Sequence, residues 1–125
     1  MVVSKRTYVP ERGHLIHINI GATAGREFDG PHYALVISKT EFQSKTGLCV
    51  VVPTTSRHHP ELGVLAAKLP QVKGLHREGW ALIHHVRSLD FRERSATFAA
   101  QLDLKREDHR HFINDVVDRL FTTVD

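Results

Sequence analysis

The apolar residues of this chain follow two different periods, and the switch between them restricts the fold more than any other feature. Between residues 14 and 99 they come in short runs suited to strands. From Phe112 to Phe121 they take the period of a helix. In H-L-I-H-I-N-I (14–20), Ile16, Ile18 and Ile20 fall on one face and Leu15, His17 and Asn19 on the other, which predicts a half-buried strand with an outward polar face. Tyr33–Ser38 and Leu48–Val52 are β-branched and nearly continuous in apolarity, as in strands covered on both sides. K-T-E-F-Q-S-K-T-G between them reads as one helical turn followed by a glycine turn. Pro53 is expected to end the third strand, with a polar loop over 54–61, a fourth strand at Gly63–Leu69, a loop over 70–78 and a fifth strand at Trp80–Ile83. Short strands at Val86–Leu89 and Ala96–Ala99 flank a turn at F-R-E-R. Phe112, Ile113, Val116, Val117, Leu120 and Phe121 then form one stripe of an amphipathic helix. Many short strands followed by one C-terminal helix predict an α+β chain that is mainly β, a small β-barrel capped by that helix. With 125 residues and no repeat or linker, residues 1–125 read as a single domain.

A hydrophobic fraction of 41% beside 25% charged residues is ordinary for a packed domain and excludes wholesale disorder. The single cysteine, Cys49, lies in L-C-V-V-V and reads as a small buried hydrophobe. No disulfide within the chain is possible. The N-terminal stretch has no continuous apolar core of a secretory signal, and no run reaches membrane-spanning length, so the expectation is a cytoplasmic protein without a membrane partner. The net charge of +3 permits a nucleic-acid partner without requiring one. Ten histidines are the unusual part of the composition. They are suited to proton transfer, metal binding or pH response.

Spacing argues against a metal. His14/His17 and His84/His85, read on strands, point to opposite faces. His109 and His111 lie on nearly opposite sides of a helix. His58 and His59 sit before Pro60 with no cysteine or carboxylate cluster, and neither H-E-x-x-H nor a paired C-x-x-C occurs. No metal and no cofactor are expected.

Several segments fall into one order: Y-V-P-E-R-G-H-L-I (8–16), T-A-G-R-E-F-D-G (23–30), A-L-V-I-S (34–38), K-T-G-L-C-V-V-V-P-T-T-S (45–56) and E-G-W-A-L-I-H-H-V-R-S-L-D (78–90). In this order and spacing the chain resembles the MazF/PemK/Kid family of toxins over nearly its whole length. The resemblance implies an SH3-like β-barrel with a C-terminal helix, commonly a homodimer. It also implies a growth-inhibiting, metal-independent endoribonuclease that cuts single-stranded RNA at short sequences and is neutralised by a small, partly disordered antitoxin. In such enzymes the RNA 2′-hydroxyl attacks the adjacent phosphate, giving a 2′,3′-cyclic phosphate and a 5′-hydroxyl. That chemistry needs a base, an acid, and positive or hydrogen-bonding groups around the phosphorane.

The resemblance places Thr55 where MazF-like members keep a functional threonine, with Ser56 beside it. The alternative is that Thr54, Thr55 and Ser56 merely satisfy backbone in a turn after Pro53. Glu27 matches the family's loop glutamate, and Arg26 stands where Kid-like members carry a functional histidine, able to hold phosphate through its planar fork. Two departures stand out. The family's usual arginine and proline before A-L-V-I-S are here His32 and Tyr33, and its Asp-Gln after the late strand is here His84 and His85. The arginine that Kid-like members carry two residues before that aspartate corresponds to Leu82. Imidazole moves protons near neutrality and guanidinium does not, so His32 and His84 are the expected acid–base pair, with Thr55 and Arg26 completing the catalytic set. Arg57, His58, Lys73 and Arg77 lie in loops suited to the RNA backbone, and His85 is placed in RNA contact or a structural role. Trp80 reads as core or dimer interface. Two other functions compete: a domain that binds RNA or antitoxin without cutting, and a CcdB-like gyrase poison on the shared fold. The R-E, T-T-S and A-L-V-I-S segments follow the ribonuclease branch.

Overall fold

Alternating side chains in three neighbouring strands build two separate apolar layers, and the site lies where one of those layers opens. The computed structural model describes residues 8–20 and 31–122. Its strands are β1 (His14–Asn19), β2 (Pro31–Val36), β3 (Leu48–Thr55), β4 (Ala66–Lys68), β5 (Trp80–Leu82), β6 (Arg87–Asp90) and β7 (Thr97–Gln101). Its α-helices are α1 (Thr40–Thr46) and α2 (Glu107–Phe121). The sheet is antiparallel, ordered β4-β5-β3-β2-β1-β7, with β6 also pairing β3. The mainly β chain with a C-terminal helix is thus the class observed. Its barrel-like sheet has two ends, β4 and β7.

Ile16, Ile18, Ala34, Val36, Cys49 and Val51 share one apolar cluster with Leu89, Phe91 and Ala96. Leu15, Leu35 and Val52 belong to the other, against Ile113 and Val116 of α2. The polar outward face expected of β1 is present at His17 and Asn19, which are exposed, but Leu15 on the same side is not part of it. Leu15 is fully buried, because α2 and the 69–75 segment cover that end of the face, which is exposed from His17 onward. Cys49 is buried as expected, and burial together with the nearby Asp90 pushes its thiol up to about 12, which keeps it protonated and unreactive. Phe121, counted in the helix stripe, is 83% exposed at the helix end.

Pro53 does not end β3, which continues through Thr55. Ile37 donates to the Val50 carbonyl. Strand alternation then turns the Pro53 nitrogen away from β2, towards the opposite edge. There β3 changes partner, from β6 at Leu48–Val51 to β5 at Thr54–Thr55. The missing N–H falls in the gap between two partners, so no ladder bond is lost. The strand expected over Gly63–Leu69 is instead a 3₁₀ segment, Pro60–Leu65, followed by the short β4. The late apolar run also breaks at Leu82, and Ile83–His85 form a 3₁₀ turn. His84 and His85 therefore do not point to opposite faces; their rings lie 4.2 Å apart. Helix α1 is longer than the single turn expected, and Gly47 ends it at φ 74°, a conformation that favours glycine. Buried Gln43 on α1 donates to the carbonyls of Pro10 and Ser38, each at 3.0 Å, tying the lead-in to the start of the helix.

His14 is buried at the start of β1. Its Nδ1 takes the Tyr8 hydroxyl at 3.0 Å and the Glu11 N–H at 3.2 Å. Desolvation holds its pKa below the usual imidazole range, against the opposing pull of the Glu11 carboxylate. The unfolded chain therefore takes up this proton first as the pH falls. The stabilisation is fully present above the unfolded pKa and is lost as the pH drops through that value towards the folded one. Melting temperatures measured from pH 8 to pH 5 should fall more steeply for the wild type than for His14→Gln; parallel curves would mean that His14 makes no such contribution.

Candidate active site

Where β1, β2 and β3 run out from under the helix, their ends line a cavity of about 580 Å³. Register decides which side chains meet there. His17 pairs Tyr33 and Ile18 pairs His32 across β1 and β2. The β2–β3 register ends at Ala34 opposite Pro53, and extended by one and two residues it would put Tyr33 level with Thr54 and His32 level with Thr55. The Thr54 hydroxyl donates to the Tyr33 carbonyl at 3.0 Å, in keeping with that level. Cross-strand neighbours share a face. His17, Tyr33 and Thr54 thus form one row, and Ile18, His32 and Thr55 the other. The cavity takes in His17, His32, Tyr33, Thr54 and Thr55, so both rows contribute to it at the strand ends.

The opposite wall is the loop over 69–79. Its base is closed by the Leu69 N–H donating to the Gly79 carbonyl at 2.8 Å, and Val72 anchors it in the core. A Cβ on Gly79 would stand 2.9 Å from a terminal methyl of Leu69, which would have to shift to admit it. Gly74 turns it at φ 95°. This path brings Leu75, His76, Arg77 and Glu78 to the cavity. Glu78 is held by Lys68 at 2.9 Å. The lining thus combines three histidines and Arg77 with a single carboxylate that already has a cation, a balance that suits a phosphodiester.

Of the residues singled out in the sequence, His32, Thr55, Ser56 and Arg77 line this one cavity. The Thr55 hydroxyl oxygen accepts the Arg57 N–H at 3.1 Å, so the turn-satisfying role is real. A hydroxyl accepting there can still donate its own proton. Arg57 is exposed just beyond β3. His58 stacks on Trp80, ring centres 4.8 Å apart and planes 12° from parallel, and Trp80 is buried beneath it. Lys73 lies on the far side of the loop, in a groove with Arg106 and Asp108. His84 and His85 sit in the 3₁₀ turn beyond β5 and are not among the cavity's lining residues. Desolvation holds the His84 pKa below the usual imidazole range. Arg26 and Glu27 lie outside the described residues.

Sequence reasoning missed His17, Tyr33 and His76 as site residues. The first was visible as the polar position of an alternating strand and the second as a departure from the family's proline. His76 adjoins Arg77 in a loop whose fold back over the sheet is a tertiary fact. Among the described residues no group of three or more histidines, cysteines or carboxylates could hold a metal ion, and no helix is long and apolar enough to cross a membrane.

Residues 11–109 match the family of PemK-like, MazF-like toxins of type II toxin–antitoxin systems. A protein of Escherichia coli (strain K12) named endoribonuclease toxin MazF is 38% identical over 92 residues, which cover 72% of this chain and 77% of that protein. The crystal structure of MazF (Form-I) from Deinococcus radiodurans superposes with a TM-score of 0.73 at 34% identity, over 90% of this chain and 94% of that one. A chain of the MazE–MazF (Form-III) crystal structure from the same organism does so at 0.69 and 34%, over 90% and 94%. Matched over most of its length in both sequence and fold, this chain belongs to the PemK-like, MazF-like toxins of type II toxin–antitoxin systems.

Proposed function

We propose that this toxin is an endoribonuclease that cuts single-stranded RNA without a metal, using imidazoles to move the protons. The relatives named as endoribonucleases support the activity. The observation that carries the chemistry is that His32 and Thr55 share one cavity with His76 and Arg77. One imidazole takes the proton of the RNA 2′-hydroxyl as its oxygen bonds to phosphorus. The other protonates the 5′-oxygen as the P–O5′ bond breaks, leaving a 2′,3′-cyclic phosphate and a 5′-hydroxyl. The Thr55 hydroxyl and the Arg77 fork stabilise the charge that builds on the non-bridging oxygens. His76 takes the second proton-transfer role in place of His84, because it lies on the wall opposite His32 in the same cavity. Ser56 and Arg57, where β3 ends, guide the RNA backbone.

The same relatives support the rest of the assignment. MazF has been crystallised with MazE, and an antitoxin partner is proposed for this chain on that basis. A homodimer acting in the cytoplasm completes the reading. The test is a digest of a long single-stranded RNA by the purified protein in EDTA, with fragment ends mapped. Discrete cuts ending in 5′-hydroxyls are expected. RNA bound but left whole would make the chain a binding module and remove the catalytic assignments.

A further inference from the structure

The ribonuclease reading concerns the phosphate; the strand row beside it has different chemistry. Tyr33 is 49% exposed, although it stands on a central strand of the sheet. Its ring meets that of His17, its cross-strand partner, edge to face, with centres 5.2 Å apart and planes at 65°. Such a contact braces one ring against the other and fixes its tilt. Both rings line the cavity, whose floor includes Leu15, Leu69 and Leu75 and whose rim holds Arg77 and Glu78. A volume of about 580 Å³ is within the usual range of small-ligand sites. A large ring left half open over an apolar floor, one residue from His32, is what a flat aromatic guest needs.

The geometry points to Tyr33 as a stacking platform for one nucleobase of the RNA, held in position by His17 and lying next to the phosphate that is cut. This rests on the ribonuclease reading for its substrate. A nucleobase fits better than a peptide side chain for two reasons. Stacking uses the open ring face, and the basic rim then meets the adjoining phosphates. Glu78 on the same rim offers an acceptor that suits an amine on the edge of the stacked base, while Arg77 stays with the phosphate. His17 is a positioning residue here, and Tyr33 is the one in contact.

The experiment uses a short RNA spanning one mapped cut site, made with a single abasic nucleotide at each position in turn. Wild-type cleavage should fall roughly 10-fold to 100-fold when one particular base is missing. Tyr33→Leu should show that same loss on the intact RNA and no further loss on the abasic one. Tyr33→Phe keeps the ring, so in that variant the same abasic position should still lose its activity. Melting temperatures of both variants confirm that they fold. The platform is overturned if Tyr33→Leu cuts intact RNA as well as wild type, or if no abasic position loses its effect in that variant. The ribonuclease reading fails separately, by absence of cutting in the wild type. The abasic series is then measured as binding by fluorescence anisotropy, on a short RNA of fixed sequence. A loss of affinity at one position that vanishes in Tyr33→Leu supports the platform, and uniform affinity or none overturns it.

Discussion

Replacing His32 with alanine is expected to lower kcat/KM for RNA cleavage by roughly 100-fold to 10,000-fold, the range contributed by a positioned acid or base. The melting temperature should change little, because His32 is only partly buried at the start of β2 and belongs to neither apolar cluster. A second variant decides what the imidazole does. In the related toxins an arginine is the usual residue at this place, and His32→Arg would restore a positive charge without a group that gives up its proton near neutral pH. If His32 moves a proton, His32→Arg should remain close to the alanine level. Cutting by His32→Arg at or above the wild-type rate would show that the position only needs charge, and the acid–base assignment would fall. Both variants are compared on the same RNA in EDTA, with ends mapped to confirm that the product chemistry is unchanged.

The parts of the fold that could be read from sequence are those set by local periodicity. Ile16, Ile18 and Ile20 alternate, and they form one buried row. Ile113 and Val116 keep helical spacing, and they dock on the sheet. What could not be read depends on partners distant in the chain. Leu15 and Ile16 look alike as apolar residues, but only α2 and the 69–75 segment make the Leu15 face interior. Pro53 is a stop signal by local rules, and it is tolerated because β3 exchanges β6 for β5 beside it. W-A-L-I reads as one strand through Ile83 because the backbone break after Leu82 has no side-chain signature, neither glycine nor proline.

The same division holds for the site. Thr55 and His32, candidates from the order of motifs, both lie on strands and line one cavity. Pairing His32 with His84 rested on the family resemblance, which sets His84 just after the late strand. The 3₁₀ turn displaces that residue from the strand line, while a loop of eleven residues, 69–79, brings His76 to the cavity. The closure at Leu69 and Gly79 and the anchor at Val72 determine that path, and no spacing rule reports them.

The contrast between His76 and His84 supplies the second large effect. His76→Ala is expected to cut roughly 100-fold or more slowly than wild type, whereas His84→Ala should stay within about 3-fold, since a side chain off the cavity has no route to the transferred proton. His76 is exposed on the loop, so its removal leaves no buried void and the variant should melt like the wild type. A substrate with sulfur in place of the 5′-bridging oxygen sharpens the assignment. Its thiolate leaves without protonation, so the acid becomes unnecessary while the base is still required. Of His32→Ala and His76→Ala, the variant that lacks the acid should recover most of its rate on that RNA, and the variant that lacks the base should not. The pH–rate profile of each should lose one limb, a different one in the two variants. An intact profile and near-normal cutting in His76→Ala, together with collapse in His84→Ala, would return the second proton to the 3₁₀ turn and require that turn to approach the phosphate when RNA binds.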